Sequence, residues 1–338
     1  MSDRSDIGVG VIGLGFMGQT HLRAYRAAGA RLVAVCDSSD ERLSGRVEAS
    51  GNMGDTEPET LFDPRKLNAT PDLDAMLATP GLDAVSVCTP TDTHVAVATR
   101  ALRAGKHVLV EKPVALTTED VRALADAARD AGRMCMPAMC MRFWPAWAWV
   151  KDAIDDGRYG RVLAARFERL GAPPTWGQSF YSDESRSGGA MFDLHVHDTD
   201  FVVHAFGMPE SVTSVGSPRH LTTIYRLADG PSQVVAQGGW LSSPAWAFRM
   251  GLIVEFERAV ADFQLGRDPE LSVHLDDGST IAPPLPDESG WEGEVRAFLD
   301  AIARGASEPP VTLGQAENVT RVLIAERASL QNGGDARV

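Results

Sequence analysis

Short apolar runs alternate with amphipathic stretches along the first third of the chain. The apolar runs are rich in valine, which favours strands, whereas apolar positions in the intervening stretches recur with helical spacing. The pattern predicts strands at Ile7 to Ile12, Arg31 to Cys36, near Leu67, Ala84 to Cys88 and His107 to Val110, and helices at Phe16 to Ala28, Asp40 to Ala49, Leu73 to Leu77, Val95 to Ala104 and Thr118 to Asp130. Apolar strands that alternate with helices predict a parallel sheet covered on both faces.

The second half of the chain has a different period. Apolar residues occupy every second position at Phe248, Met250, Leu252, Val254 and Phe256. That spacing predicts strands with one buried face, so we expect a largely antiparallel sheet with helices on one side. The other face is either solvated or a subunit interface. Further elements are predicted at Pro145 to Asp156, Val162 to Glu168, Phe192 to Phe206, Trp291 to Ala303 and Gln315 to Ser329.

Together the two patterns predict an α/β protein of two domains. The 338 residues suit this number, because domains average about 150 residues. We expect an N-terminal Rossmann domain with a doubly wound parallel sheet over residues 1–125. A C-terminal α+β domain with a large, mostly antiparallel open sheet is expected over residues 126–338.

Composition and charge exclude several functional classes. Lys and Arg number 32 against 46 Asp and Glu, so the net charge is −14, and no basic stripe is present that would bind a nucleic acid backbone. No apolar run approaches the ~20 residues of a membrane helix. The start, MSDRSD, lacks the features of a leader. The four cysteines stand apart in apolar surroundings. We therefore expect a cytoplasmic protein with no nucleic acid or membrane partner.

A glycine-rich turn joins the first predicted strand to the first predicted helix. The next strand ends at Asp37, about 20 residues after the motif, where an acidic side chain meets a ribose hydroxyl in dinucleotide-binding proteins. A carboxylate there favours NAD, with NADP as the alternative. The predicted contacts of the motif with the cofactor are Gly13, Gly15, Phe16, Met17 and Gly18.

Two further segments follow the ends of predicted parallel strands, where such sheets bind ligands. One is Thr89-Pro90-Thr91-Asp92-Thr93-His94, from which we take Thr89, Pro90 and His94 as cofactor contacts. The other is Glu111-Lys112-Pro113, which puts Glu111 and Lys112 on the same edge. Taken alone, a lysine in such a place is usually a solvated surface residue.

A polar stripe runs along the predicted helix Phe192 to Phe206. At about 100° per residue, Asp193 and His197 share a face with Asp200 and His204, whereas apolar side chains point elsewhere. Such a stripe is costly unless it faces a cavity or finds partners.

The order of these motifs resembles the glucose-fructose oxidoreductase, inositol dehydrogenase and rhizopine catabolism (Gfo/Idh/MocA) family of NAD(P)-dependent oxidoreductases. The motifs are GLGFMG, CTPTDTH, EKP and SGGAMFDLHVHDTD, in that order. The resemblance implies that Lys112 contacts nicotinamide and substrate, and that Asp193 and His197 complete the catalytic set. It also implies a homodimer or homotetramer. His195 stands where the family often has glycine.

Several residues keep two interpretations. Arg142 binds a substrate hydroxyl or carboxylate, or forms a structural ion pair. Trp176 is a candidate for lining the substrate pocket. His195 and His204 are expected to be packed or hydrogen-bonded, and a metal site is not expected because a helix sets His195 and His197 ~200° apart. The stretch Gly51 to Arg65 has no functional interpretation.

The favoured function is hydride transfer between nicotinamide and a CH–OH group of a sugar, inositol or related polyol or keto-sugar. His197 would be the general base. Two alternatives stay open: a non-catalytic, cofactor-sensing regulatory protein on the same scaffold, and a reductase of a non-sugar carbonyl or imine.

Overall fold

A computed structural model of the chain describes residues 4–47, 59–175 and 177–338. The chain forms two compact units that do not follow a single cut along the sequence. The first unit contains the described residues up to Cys140 together with Gly290–Glu317, and the second contains Met141–Ser289 together with Asn318–Val338. The predicted division at 125/126 differs from this grouping.

The first unit is built on a six-stranded sheet in which every neighbouring pair is parallel. Its order is β5-β2-β1-β6-β7-β8, which is the doubly wound arrangement predicted from the sequence. A separate antiparallel pair, β3 and β4, lies outside it. The strands are β1 (Gly8–Ile12), β2 (Arg31–Cys36), β3 (Arg46–Val47), β4 (Glu59–Thr60), β5 (Asn68–Thr70), β6 (Ala84–Val87), β7 (His107–Glu111) and β8 (Cys135–Ala138).

Helices connect these strands and cover the sheet. They are α1 (Phe16–Ala27), α2 (Asp40–Leu43), α3 (Leu73–Leu77), α4 (His94–Arg103), α5 (Thr118–Ala131) and, from the later segment, α10 (Gly290–Ala303). The side chain of Thr117 accepts a hydrogen bond from Asp120 N, and Gly132 ends α5 in the left-handed conformation, as the sequence predicts. The helix predicted at Asp40 to Ala49 is too long, because α2 ends and β3 follows; residues 48 and 49 lie outside the described ranges.

The second unit is built on a nine-stranded sheet of order β16-β15-β14-β13-β9-β12-β11-β10-β17. Its pairs are antiparallel except β9 with β12, so the predicted fold class is confirmed. The strands are β9 (Val162–Gly171), β10 (Ser211–Ser217), β11 (His220–Arg226), β12 (Gln233–Trp240), β13 (Arg249–Phe256), β14 (Ala259–Gln264), β15 (Leu271–Leu275), β16 (Thr280–Ile281) and β17 (Ala336–Arg337).

One face of this sheet is buried and the other is not. The inward side chains include Phe167, Leu252 and Phe263, each at most 2% exposed. Trp147 packs its ring against Phe167 at 5.6 Å between centroids, so this aromatic residue belongs to the core. The helices of this unit are α6 (Pro145–Asp155), α7 (Gln178–Tyr181), α8 (Glu184–Ser187) and α9 (Val196–Phe206), and α11 (Leu313–Asn332) contributes to both units.

The outward face carries a continuous row of residues across the strands. The strand registers align Ile224 with Val235, Val235 with Arg166, Arg166 with Ile253, and Ile253 with Asp262. Ile224 and Ile253 are 42% and 46% exposed. The row therefore mixes exposed apolar side chains with an arginine and an aspartate. No helix in the described part of the chain is long and apolar enough to cross a membrane.

Candidate functional site: a dinucleotide-binding sheet edge and a polar helix

The glycines between β1 and α1 meet three different steric demands. Gly13 has a φ of 86°, and a Cβ there would lie 2.6 Å from the carbonyl oxygen of Cys88. A Cβ on Gly18 would lie 1.9 Å from the carbonyl oxygen of Gly13, so only glycine lets the helix pack this closely on the turn. Around Gly15, apart from its two chain neighbours and the adjacent backbone of its own helix, no described atom lies within 4 Å of the Cβ position. Backbone is therefore open to a ligand at Gly15 and closely packed at Gly18.

The start of α1 has the character of an anion site. Gly15 is the N-cap residue, and among the described residues no side chain caps the helix or places a carboxylate in its first turn. The positive end of the helix dipole at this position favours a phosphate. Phe16 and Met17, the first two residues of the helix, are half-buried. These features fit the pyrophosphate of a dinucleotide.

Asp37 directly follows β2 and fixes the glycine turn from one side. One carboxylate oxygen accepts a hydrogen bond from Leu14 N at 2.6 Å, and the other accepts from Ser39 N at 2.8 Å. The Arg42 guanidinium lies 3.5 Å away on an exposed side chain. Asp37 therefore has a structural role in the turn in addition to the ribose contact that the sequence predicts.

His94 links two of the turns at the carboxyl edge of the sheet. Its Nε2 lies 2.7 Å from the carbonyl oxygen of Thr89, and its Nδ1 lies 2.9 Å from that of Pro113. The ring is 1% exposed, and burial lowers the pKa of His94 below its ordinary value. His94 thus joins the Thr89-Pro90 turn to the Lys112-Pro113 turn, and the cofactor contact predicted for it stays a prediction.

Glu111 supports the backbone of Lys112 from inside the first unit. One carboxylate oxygen accepts from Lys112 N at 3.1 Å, and the other lies 2.9 Å from Nε2 of His21. His21 Nδ1 in turn lies 2.9 Å from the Ser86 hydroxyl, and Tyr25 OH lies 2.8 Å from the same oxygen. This buried chain connects α1, β6 and the end of β7, so it holds the turn that carries Lys112.

The charge state of Glu111 follows from these partners. Burial would raise the pKa of its carboxyl, but the hydrogen bond and charge of His21, together with Lys112, outweigh burial, and the pKa lies below its ordinary value. Glu111 is therefore an anion at neutral pH. It also holds the backbone of Lys112, and its contact with the cofactor stays a prediction.

The segment predicted as the start of a regular helix is a π-helical turn. Met191–His195 is π-helical, and α9 begins only at Val196. Two glycines with positive φ, Gly188 and Gly189, precede it, and Met191 N donates to the carbonyl oxygen of Pro218 at 3.0 Å. The assumption of 100° per residue from Asp193 onward is therefore wrong, because a π turn places more residues in each turn.

Burial separates Asp193 and His197 from their neighbours. Of residues 187–202, all of which the structure describes, these two are the positions that are not buried. Asp198, Thr199 and Asp200 lie beside them in sequence, and each is at most 1% exposed. A half-buried polar pair within an otherwise buried segment is placed to meet a ligand.

Comparison with known proteins identifies the family. A family model described as an oxidoreductase family with an NAD-binding Rossmann fold, GFO_IDH_MocA, matches residues 7–139. The model of the GFO/IDH/MocA C-terminal domain matches residues 147–239. The chain belongs to the Gfo/Idh/MocA family. It is accordingly an oxidoreductase with an NAD-binding Rossmann fold.

Individual members of the Gfo/Idh/MocA family resemble the chain over most or about half of their length. Inositol 2-dehydrogenase of Rhizobium meliloti (strain 1021) is 29% identical over 323 residues, which cover 89% of this chain and 90% of that protein. The scyllo-inositol 2-dehydrogenase (NAD(+)) of Bacillus subtilis (strain 168) is 34% identical over 61% of this chain and 55% of its own. A solved levoglucosan dehydrogenase, in complex with NADH and levoglucosan, superposes with a TM-score of 0.82 at 23% identity, covering 98% and 99% of the two chains. This last likeness supports the fold.

Arg142 forms an ion pair in this Gfo/Idh/MocA protein. Its guanidinium donates to both carboxylate oxygens of Asp200, at 2.6 Å from Nη2 and 3.0 Å from Nε, and the two side chains are 5% and 1% exposed. Of the two interpretations, the ion pair is the one observed, and the substrate contact of Arg142 stays a prediction. The predicted stripe is therefore split, because Asp200 is turned to Arg142 while Asp193 and His197 stay accessible.

The remaining predicted residues have separate outcomes. Trp176 lies outside the described residues. His204 is half-buried, and His195 is fully buried and hydrogen-bonded, as expected. Within the described ranges, no group of three or more His, Cys, Asp and Glu side chains is arranged to hold a metal ion.

Sequence reasoning missed the buried partners that support the site. These are His21, Ser86, Arg169, Tyr225 and Glu326. Two of them carried a local signal. His21 lies on the buried side of the helix that begins at the glycine motif, and Glu326 interrupts an apolar stripe of a predicted helix.

Proposed function

We propose that this protein transfers hydride reversibly between a nicotinamide cofactor and a secondary alcohol of a sugar, an inositol or a related polyol. The observation that carries the proposal is the selective exposure of Asp193 and His197 on a buried segment, in a family member that also keeps Lys112 at the end of β7. Relatives named as inositol dehydrogenases support the substrate class.

The proposed roles follow from the chemistry of the side chains. His197 accepts the hydroxyl proton as general base, since imidazole titrates near neutral pH. Asp193 orients His197 or bonds a neighbouring hydroxyl. The Lys112 ammonium donates to the reacting oxygen and stabilises the negative charge that develops on it. Bound NAD supplies the hydride acceptor.

The cofactor is proposed to lie along the carboxyl edge of the first unit's sheet. Its pyrophosphate would bind the backbone at the start of α1, and its ribose would meet Asp37, which favours NAD over NADP because a carboxylate repels a 2′-phosphate. Glu111 and His94 support the turns at this edge through hydrogen bonds to their backbone. The proposed direct contacts are Gly13, Gly15, Phe16, Met17, Gly18, Asp37, Thr89, Pro90 and Lys112.

We also propose a cytoplasmic homo-oligomer, a dimer or a tetramer. The outward row on the nine-stranded sheet supports the oligomer, because Ile224 and Ile253 are exposed large apolar side chains on one continuous face. The cysteines at 36, 135 and 140 are buried as free thiols, a pattern typical of a reducing compartment. Sedimentation of wild type against an Ile253→Glu variant tests the oligomer.

An absorbance screen for NADH tests the function. The purified protein is mixed with NAD or NADP and a panel of inositols, sugars, other polyols, keto-sugars and non-sugar carbonyls, with and without a chelator. The expected result is NAD-dependent oxidation of at least one polyol or sugar that survives the chelator. Activity with a non-sugar carbonyl alone would contradict the proposed substrate class.

Variants at two proposed catalytic positions test the residue roles. Lys112→Met and His197→Ala are expected to lower turnover by at least about 100-fold, because each removes a group that acts on the reacting oxygen. The NADH affinity of His197→Ala and the Tm of both variants should stay close to wild type. The matched controls are Lys106→Met, a lysine bonded to the Leu82 carbonyl, and His204→Gln. Wild-type turnover in either catalytic variant would contradict the assignment.

A further inference from the structure

A buried polar network lies directly behind the segment that carries Asp193 and His197. His195, between them in sequence, is 0% exposed, and its Nε2 lies 3.1 Å from a carboxylate oxygen of Glu326 and 3.3 Å from the hydroxyl of Tyr225. Tyr225 OH donates to the other oxygen of Glu326 at 2.9 Å. The network therefore ties the π-helical turn to β11 and to α11.

The charges near His195 favour its protonated form. Arg169 donates to Asp198 through Nη2 at 3.0 Å, so this buried pair is internally balanced. Glu326 is 0% exposed, and a buried carboxylate without a counter-charge is strongly destabilising. Burial would lower the pKa of His195, but the charge and hydrogen bond of Glu326 outweigh burial and the pKa lies above its ordinary value. The carboxylate of Glu326 thus favours a proton on His195.

The imidazole of His195 is also confined by packing. A Cβ on Gly238 in β12 would lie 2.7 Å from both Cβ and Nδ1 of His195. The ring therefore lies directly against the backbone of β12, where any other residue would displace it. The side chain of His195 is therefore in contact with β11, β12 and α11.

The packing around His195 matters because this residue belongs to a π-helical turn. Single π turns are rare and frequently accompany functional sites. His195 ends the Met191–His195 turn and lies two residues from each of the half-buried polar residues, Asp193 and His197. Fixing its side chain therefore fixes the backbone that presents both of them.

We infer that His195, Glu326 and Tyr225 are positioning residues, whose buried network holds the π-helical turn and thereby orients Asp193 and His197. The part of this inference that concerns catalysis rests on the proposed function. The network itself lies wholly within the second unit.

Three conservative variants test the network against a matched control. Tyr225→Phe, Glu326→Gln and His195→Gln each remove one member. The control is Ser329→Ala, which removes an equally buried side chain on the same helix that accepts from Ser214 N at 2.8 Å, away from the π turn. Tm of all four variants is measured, and Tyr225→Phe, which loses a single oxygen, keeps the test valid if a charge-changing variant does not fold.

The kinetic readout separates positioning from simple stability. We expect kcat to fall by about 10- to 100-fold in the network variants, because small displacements of catalytic groups have effects of this size. NADH affinity should be unchanged, and the Ser329→Ala variant should keep kcat within about twofold of wild type. If the network variants keep kcat while Lys112→Met and His197→Ala lose it, the inference fails and the proposed function stands.

Amide hydrogen exchange gives a second readout that does not require activity. Exchange of residues 191–198 should rise in the network variants and stay at the wild-type level in Ser329→Ala. If wild type is inactive on the whole panel and this exchange response is still seen, the network is supported and the proposed function fails. Equal exchange in all four variants would overturn the inference.

Discussion

Gly15 and Gly18 belong to one motif, but a side chain would have space at Gly15 and would clash with backbone at Gly18. The Cβ position of Gly15 is open, and its φ of −68° suits any residue. The Cβ position of Gly18 lies 1.9 Å from a backbone oxygen, which cannot move without moving the turn. The first glycine is therefore explained by an incoming ligand and the second by packing within the fold.

Alanine at each position should separate these two demands. Gly15→Ala is expected to lower the free energy of unfolding by less than about 1 kcal/mol, yet to weaken NADH binding at least about tenfold, because a methyl group meets the pyrophosphate. Gly18→Ala should destabilise the protein by about 1–3 kcal/mol or more through overpacking. Thermal unfolding and NADH titration of both variants check this, and equal losses of stability would contradict it.

Residues with local signals could be predicted, and residues that act through distant partners could not. The glycine motif, Asp37, Lys112, Asp193 and His197 stand at strand ends or on one helix. Tyr225, by contrast, is 30 positions from His195 and 101 from Glu326. Such pairs form only when the sheet and α11 come together, so no window of sequence contains them. For the same reason the partners of Glu111 and His94 were missed.

At the scale of elements, the segment directly before α9 departs from a regular α-helix. Helical periodicity predicted that Asp193, His197 and Asp200 share one polar face, whereas in the structure Asp193 and His197 are half-buried and Asp200 is buried. The π turn, the buried pair with Arg142 and the glycines at 188 and 189 set the actual arrangement. Periodicity describes a regular element, so it cannot foresee a local change of helix type that tertiary contacts stabilise.

The Arg142–Asp200 pair is expected to contribute mainly to stability. Asp200→Ala leaves a buried guanidinium without its carboxylate, which should cost about 3–5 kcal/mol. The matched control, Asp155→Ala, breaks the exposed pair with Lys151 and should cost less than about 1 kcal/mol. Urea unfolding measures both. A raised KM with unchanged stability in Asp200→Ala would instead favour a substrate role for Arg142.

His204 makes the end of α9 sensitive to acid. Burial lowers its pKa to about 4, and the Arg142 guanidinium acts in the same direction. In the unfolded chain His204 binds a proton near pH 6.5, whereas in the folded chain it stays neutral down to about pH 4. The free energy of unfolding therefore falls as the pH drops from 6.5 towards about 4.

Replacing His204 should reduce this loss. The His204→Gln variant is expected to lose less stability than wild type between about pH 8 and about pH 5, because glutamine does not titrate. Urea midpoints at the two pH values measure the difference, and all other titrating groups are common to both proteins. An equal loss of stability in the two proteins would show that His204 is not the source.

At the scale of the whole molecule, the fold class was predictable and the grouping of segments was not. Alternating strands and helices predict the parallel sheet, and the period of two predicts the antiparallel sheet. No sequence pattern predicted that Gly290–Glu317 belongs to the first unit, since an amphipathic helix does not specify which surface it covers. In the structure α10 packs against α1, and Glu294 approaches His21 to 4.0 Å.

The central claim is hydride transfer from a carbinol carbon, and deuterium tracing tests it most directly. Wild type and His197→Ala are incubated with NAD and a pool of inositols, sugars and other polyols deuterated at every carbinol carbon, and the reduced cofactor is analysed by mass spectrometry. We predict that wild type forms NADH carrying one deuterium at C4 of the nicotinamide and that His197→Ala forms at least about 100-fold less. Reduced cofactor without deuterium, or no reduction from any member of the pool, would contradict the account.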